Sequence, residues 1–145
     1  MKTILVIENS SKIVSRLLSD KMENTNIEHH RDIDIALKRI IKNHFDLIII
    51  DANVKSKDTI DISKLLRTAA ISGKPVIVVS SCNIFNFAKA GLSYFNNKIN
   101  ENIKYMFNPF NETLKQTVGE MINIKPINHT VIFNRLLNPL NGNNI

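Results

Sequence analysis

A doubly wound α/β fold, with five parallel strands in the order 2-1-3-4-5 and helices on both faces, is what this sequence predicts. Three observations carry the prediction. Short apolar runs rich in β-branched residues recur along the chain: TILVI at 3–7, FDLIII at 45–50, VIVVS at 76–80 and IKYMF at 103–107. Runs that do not alternate apolar with polar mark strands covered on both faces. Segments with apolar residues at helical spacing separate them. Strands alternating with helices require parallel pairing, right-handed crossovers leave few topologies, and 2-1-3-4-5 is the commonest small one.

The elements follow in order. After the strand at 3–7, Ser10 or Ser11 caps a helix in which Ile13, Val14, Leu17 and Leu18 recur at helical spacing. A weak strand is expected near 26–29, then a helix over about 33–43 with Ile35, Ala36, Ile40 and Ile41 on one face. The 45–50 run is the third strand, and residues 59–71 form a helix carrying Ile60, Ile62, Leu65 and Leu66. Pro75 opens the fourth strand, 83–97 is helical in pattern, and 103–107 is the fifth strand. Asn111 caps a last helix whose stripe is Leu114, Val118, Met121 and Ile122.

In such a sheet, ligands sit beyond the carboxyl ends of the strands, at the switch point beside strand 1. Three polar stretches fall on that edge: Glu8-Asn9, Asp51 and Ser80-Ser81. They are far apart in sequence and expected to be neighbours in space.

Composition narrows the function classes. The 145 residues suit one domain, 43% apolar and 22% charged, in the range of a globular protein. The single cysteine, Cys82, cannot form an internal disulfide and lacks a base nearby in sequence, so a cytoplasmic setting is expected and a catalytic thiol is not. The apolar run at 1–10 is too brief for a signal or membrane segment. The net charge of +6 is scattered, with no nucleic-acid recognition motif, so neither direct nucleic-acid binding nor a membrane partner is expected. His29, His30, His44 and His129 form no metal-binding pattern and read as solvated loop and edge residues. Four glycines and no Gly-rich loop after strand 1 argue against a flavin binder.

ILVIEN at 4–9, DLIIIDAN at 46–53, KPVIVVSS at 74–81 and YMFNPFNETL at 105–114, in this order and spacing, resemble the response-regulator receiver domain. The resemblance covers about residues 1–123 and leaves 124–145 as a tail or linker. It implies the flavodoxin-like receiver fold and a two-component signalling role. Asp51 would accept a phosphoryl group from a partner histidine kinase or phosphotransfer protein, switching affinity for a downstream target or output domain. Such a chain is not an enzyme beyond its own dephosphorylation. The resemblance further implies Mg²⁺ at Glu8, Asn9, Asp51 and the backbone carbonyl of Asn53, a phosphoryl contact at Ser80 and the switch aromatic at Tyr105.

The chemistry accounts for these residue types. A carboxylate attacks phosphorus readily only when the developing charge is neutralised and the groups are held in line. Mg²⁺ takes oxygen ligands and needs only one or two carboxylates beside waters and phosphoryl oxygens. A hydroxyl at Ser80 drawn towards the phosphoryl group would free space for Tyr105 to turn in.

The sequence also departs from the family. Asn9 replaces an acid and removes one negative charge. Asn108 stands where a lysine precedes Pro-Phe, so a charge-assisted contact is missing. Lys55 stands where proline is usual and Thr59 where glycine is. A second register makes Lys98 the lysine and Phe95 the aromatic, but it puts Pro109 inside a helix, so the Asn108 register is the better physical fit. Lys55 or Lys57 could lean over the pocket, although loop lysines usually face water. Each residue also has a plainer use: Asp51 as a loop cap, Glu8-Asn9 as a helix cap, Ser80 or Ser81 bonding loop backbone, Tyr105 as edge packing. Asn9 and Asn108 thus leave a phosphorylation-independent interaction module as the alternative. In the tail, Pro126 marks a break, and Val131, Ile132, Phe133, Leu136 and Leu137 suit a short amphipathic helix. It could dock on its own domain, pair with a second copy as a homodimer, or begin a linker.

Overall fold

The computed structural model describes residues 1–20, 22–42, 44–55, 62–80, 102–107, 112–128, 131 and 134. Among the described residues nine elements run in the order β1 (Lys2–Ile7), α1 (Lys12–Ser19), β2 (Thr25–His30), α2 (Ile33–Lys42), β3 (Leu47–Asp51), α3 (Ile62–Ile71), β4 (Val76–Ser80), β5 (Ile103–Phe107) and α4 (Glu112–Met121). The strands form one sheet in the order β2-β1-β3-β4-β5, and every pairing is parallel. The predicted topology is the observed one.

Strand periodicity sends alternate side chains to opposite faces, and two cores result. On one face Leu5, Ile7, Ile48, Ile50, Val76, Val78 and Ile103 pack with Ile33, Ala36, Leu37 and Ile40 of α2 and Leu65, Leu66, Ala69 and Ala70 of α3. On the other, Ile4, Val6, Leu47, Ile49, Ile77, Val79 and Met106 pack with Ile13 and Leu17 of α1 and Leu114, Val118 and Met121 of α4. The central strands are buried from both sides, so their residues are apolar without alternation. Burying one such Ile or Leu contributes roughly 1.5–3 kcal/mol.

Two of the expected helix faces, those of α1 and α2, shift. Leu18, Ile35 and Ile41 are exposed. Each adjoins a buried residue, Leu17, Ala36 or Ile40, and with successive helical positions about 100° apart only one of each of these pairs turns inward, whereas Ala36–Leu37, Leu65–Leu66 and Ala69–Ala70 bury both members. Leu37 and Ile33 take the inward positions on α2 instead. The third strand starts at Leu47 rather than residue 45, because Asp46 turns back to accept the Thr3 N–H at 2.8 Å. Gly73 ends α3 with φ 76°, the left-handed geometry that glycine adopts without a Cβ penalty. His29 and His30 lie in edge strand β2, at the edge as expected but partly buried and hydrogen-bonded rather than solvated.

The segment after α4 crosses the opposite end of the sheet from the strand carboxyl ends. Ile127 donates its N–H to the Gly73 carbonyl at 2.9 Å, and the Asn102 amide donates to the Lys125 carbonyl at 3.1 Å. Of the three fates open to the tail, its first residues take the first and dock on their own domain. Among the described residues no helix is long and apolar enough to cross a membrane. The expected helix at 83–97, and Cys82, Lys57, Thr59, Phe95, Lys98, Asn108 and Asn111, lie outside the described residues, as does nearly all of 129–145.

Candidate functional site at the carboxyl edge of the sheet

Register brings the site residues together. β1 and β3 pair with Ile7 opposite Ile50, so Glu8 and Asp51 follow side by side at the two strand ends. Both continue the series of their strands, Ile4–Val6 and Leu47–Ile49, that faces α1. Ser80 and Tyr105 continue the series Val76–Val78 and Ile103 that faces α3. The site therefore straddles the sheet edge, with acids on one side and hydroxyls on the other.

Glu8 is wholly buried. One carboxylate oxygen accepts the Ile13 N–H at 3.1 Å and the Ser10 hydroxyl at 3.1 Å, and the other accepts the Val14 N–H at 3.0 Å. These N–H groups belong to the first turn of α1 and have no partner inside the helix. Negative charge at that end is also favoured by the helix dipole. Glu8 thus caps the helix from the preceding strand. Ser11 occupies the capping position but makes no side-chain cap bond, and its hydroxyl accepts instead from Arg31 at 2.8 Å. Of the two serines expected to cap, Ser10 alone takes part, its Oγ accepting the Lys12 N–H at 3.4 Å.

Asp51 is half-buried, and its Oδ1 accepts the Asn53 N–H at 2.9 Å. Its carboxyl is held above the ordinary value. Burial is the main cause and the neighbouring Glu8 charge adds to it, while the Asn53 N–H and the Lys12 charge oppose. Lys12, first residue of α1, is therefore a cation within electrostatic reach of Asp51. The loop is fixed at its start, since Ala52 donates to the Val79 carbonyl at 2.8 Å and Val54 to the Asp51 carbonyl at 3.0 Å.

Asn9 is exposed, and its amide joins three loops. Nδ2 donates to the Arg31 carbonyl at 2.8 Å and the Lys55 carbonyl at 3.3 Å, while Oδ1 accepts the Lys55 N–H at 2.8 Å. Arg31 returns a bond from its guanidinium to the Asn9 carbonyl at 2.6 Å. Ser80 is fully buried at the end of β4, opposite Phe107 in register. Tyr105 lies opposite Val78, half-buried against the α2–α3 core, and burial pushes its phenol up to about 12.

An Mg²⁺ at this edge would meet oxygen donors, the kind it prefers. Two are the carboxylates of Glu8 and Asp51, close enough for one charge to disfavour the other. Among the described residues no three His, Cys, Asp or Glu side chains gather into a metal site, so a cation bound by these two carboxylates would need backbone oxygens and water to complete its shell. Arg31 and Lys12 were not expected here. Arg31 follows a strand too polar to place well from sequence, and Lys12 looks like any exposed residue in a first helical turn.

No protein-family model and no curated protein matches the sequence. Solved structures do match. A CheY-like receiver domain from Methanospirillum hungatei is 18% identical, with a TM-score of 0.67 over 85% of this chain and 94% of that one. The chemotaxis response regulator CheY4 of Vibrio cholerae is 22% identical, with a TM-score of 0.61 over 83% and 98%. The receiver domain of a Francisella response regulator is 25% identical, with a TM-score of 0.60 over 84% and 97%. With its 2-1-3-4-5 parallel sheet, this chain has the flavodoxin-like receiver fold and resembles CheY-like response-regulator receiver domains over most of its length.

Proposed function

We propose that this chain is a signalling receiver in which Asp51 accepts a phosphoryl group from a phosphohistidine on a partner kinase or phosphotransfer protein. The observation that carries the reading is Asp51 itself, a half-buried carboxylate at the end of a central strand beside Glu8, with one oxygen oriented by a backbone N–H. In the transfer an Asp51 oxygen forms a bond to phosphorus as the phosphorus–nitrogen bond breaks, and the imidazole leaves carrying the electron pair and takes up a proton. Mg²⁺, when bound, supplies positive charge to the phosphoryl oxygens. Glu8, Asp51 and the Asn53 carbonyl are the groups that would hold it, and Lys12 adds charge from the α1 side. Ser80 and Asn108 are the candidate phosphoryl contacts, and Tyr105 is the candidate switch. The chain turns over no substrate. Its output is a changed face around β5 and α4 for a downstream protein, acting in the cytoplasm.

The test is intact mass after incubation with Mg²⁺ and a small acyl phosphate, wild type beside Asp51→Asn. A single phosphoryl increment on wild type alone supports the reading. A second reading, a phosphorylation-independent interaction module, is favoured by the Asn9 amide, which is occupied by loop backbone where an acid would serve a cation. No increment on either protein would favour it.

A further inference from the structure

Asn9 and Lys55 answer each other. The backbone of residue 55 presents an N–H and a carbonyl towards residue 9, and the Asn9 amide meets both, accepting at 2.8 Å and donating at 3.3 Å. Only a side chain with both a donor and an acceptor can do this. An aspartate at position 9 could accept from the Lys55 N–H, but it would set a negative oxygen against two carbonyls, those of Lys55 and Arg31. A proline at position 55 would have no N–H to give. Arg31 completes the junction, bonding the Asn9 carbonyl from its guanidinium while its own carbonyl receives the Asn9 amide. One neutral side chain thus ties the loops after β1, β2 and β3 together.

We propose that Asn9 is the positioning residue of the Asp51 loop, a hydrogen-bonded latch that holds residues 52–55 against the end of β1 without a cation. A carboxylate in the same place needs a divalent ion to bring its charge and the loop carbonyls together, whereas the amide does so by complementary hydrogen bonds. The geometry of the Asp51 edge is then set before any metal arrives, and metal affects charge there more than shape. The proposal stands whether or not Asp51 accepts a phosphoryl group.

Amide hydrogen exchange read by NMR, with and without millimolar Mg²⁺, is the test. In wild type the Lys55 N–H should exchange about tenfold slower than an open-loop amide, the same with or without Mg²⁺. Asn9→Ala should abolish that protection and leave the Ala52 N–H, bonded to Val79, unchanged. Asn9→Asp should bind Mg²⁺ about tenfold more tightly than wild type and show a melting temperature that rises with Mg²⁺, since a ligand that binds only the folded state stabilises it. Loss of protection at Lys55 alone, with Ala52 unchanged, is what a general loss of stability would not produce. An unprotected Lys55 N–H in wild type, or protection there that appears only with Mg²⁺, would overturn the proposal. The wild-type arm needs no variant, so it decides the matter even where Asn9→Ala does not fold.

Discussion

Asp51 carries two costs that a neutral side chain would not. Its carboxylate is half-buried and lies beside Glu8, and both effects disfavour the charged form, with burial the larger. A carboxyl whose folded-state pKa is raised contributes stability that is fully present below its unfolded value, 3.8, and is lost as pH rises through the folded value. At neutral pH the ionised group therefore destabilises the fold. Asp51→Asn should accordingly raise stability and Tm at neutral pH. The gain should shrink towards pH 3 as the wild-type carboxyl takes up its proton. A melt series across acid pH checks both parts, and a loss of stability on Asp51→Asn would mean that the charge is better compensated than the packing suggests. Tyr105 has the same sign at the other end of the scale. Its phenol, pushed up to about 12 by burial, makes the fold lose stability between pH 10 and about 12. Tyrosinate absorbance should show a late transition that Tyr105→Phe removes, leaving the one from Tyr94. Titration of Tyr105 near 10 would place its ring in solvent.

The elements were legible to the extent that their chemistry is local. Unbroken apolar runs located β1, β3 and β4, the mixed run IKYMF located β5, and strand ends located Glu8, Asp51 and Ser80, because a buried strand must stop where its side chains turn polar. The cap of α1 was legible only as one option among several, with Glu8-Asn9 standing beside Ser10 and Ser11. A serine before a helix is the local signal, but the N–H groups of Ile13 and Val14 go to a glutamate from the preceding strand. That arrangement depends on the angle at which the chain leaves β1. Arg31 and the Lys55 backbone escaped notice for a related reason: a backbone N–H is the same in every residue but proline, so sequence does not say which one will matter. Exposed Leu18, Ile35 and Ile41 mark the limit of helical spacing when apolar residues sit side by side. The Glu8 cap gives a prediction at this scale. Glu8→Ala strands two N–H groups at a buried helix end and should cost roughly 2–4 kcal/mol. Glu8→Gln keeps the shape and one acceptor oxygen and should cost about half as much. Urea unfolding measures both, and exchange at Ile13 and Val14 should quicken in each. Equal losses in the two variants would show that charge, rather than acceptor count, anchors the helix.

Across the whole molecule the sheet separates two jobs by direction. Every strand runs the same way, so all carboxyl ends, with Glu8, Asp51 and Ser80, lie at one edge, and all amino ends at the other. The segment after α4 returns to the second edge, where Ile127 bonds Gly73 before β4 and Lys125 accepts from Asn102 before β5. Those bonds tie the tail to the amino ends of β4 and β5, the length of a strand from the Asp51 edge. Ending the chain after Asn123 removes both, and at about 0.5–1.5 kcal/mol for each hydrogen bond the shortened protein should lose roughly 1–3 kcal/mol in urea. Because neither bond reaches the carboxyl edge, exchange at Asn53 and Lys55, and the phosphoryl uptake proposed for Asp51, should match the full chain. A shortened protein that is equally stable would mean that the tail is held too loosely to matter. One that loses protection at Lys55 would mean that the two edges are coupled through β4, the strand that pairs on one side with β3 and on the other with β5.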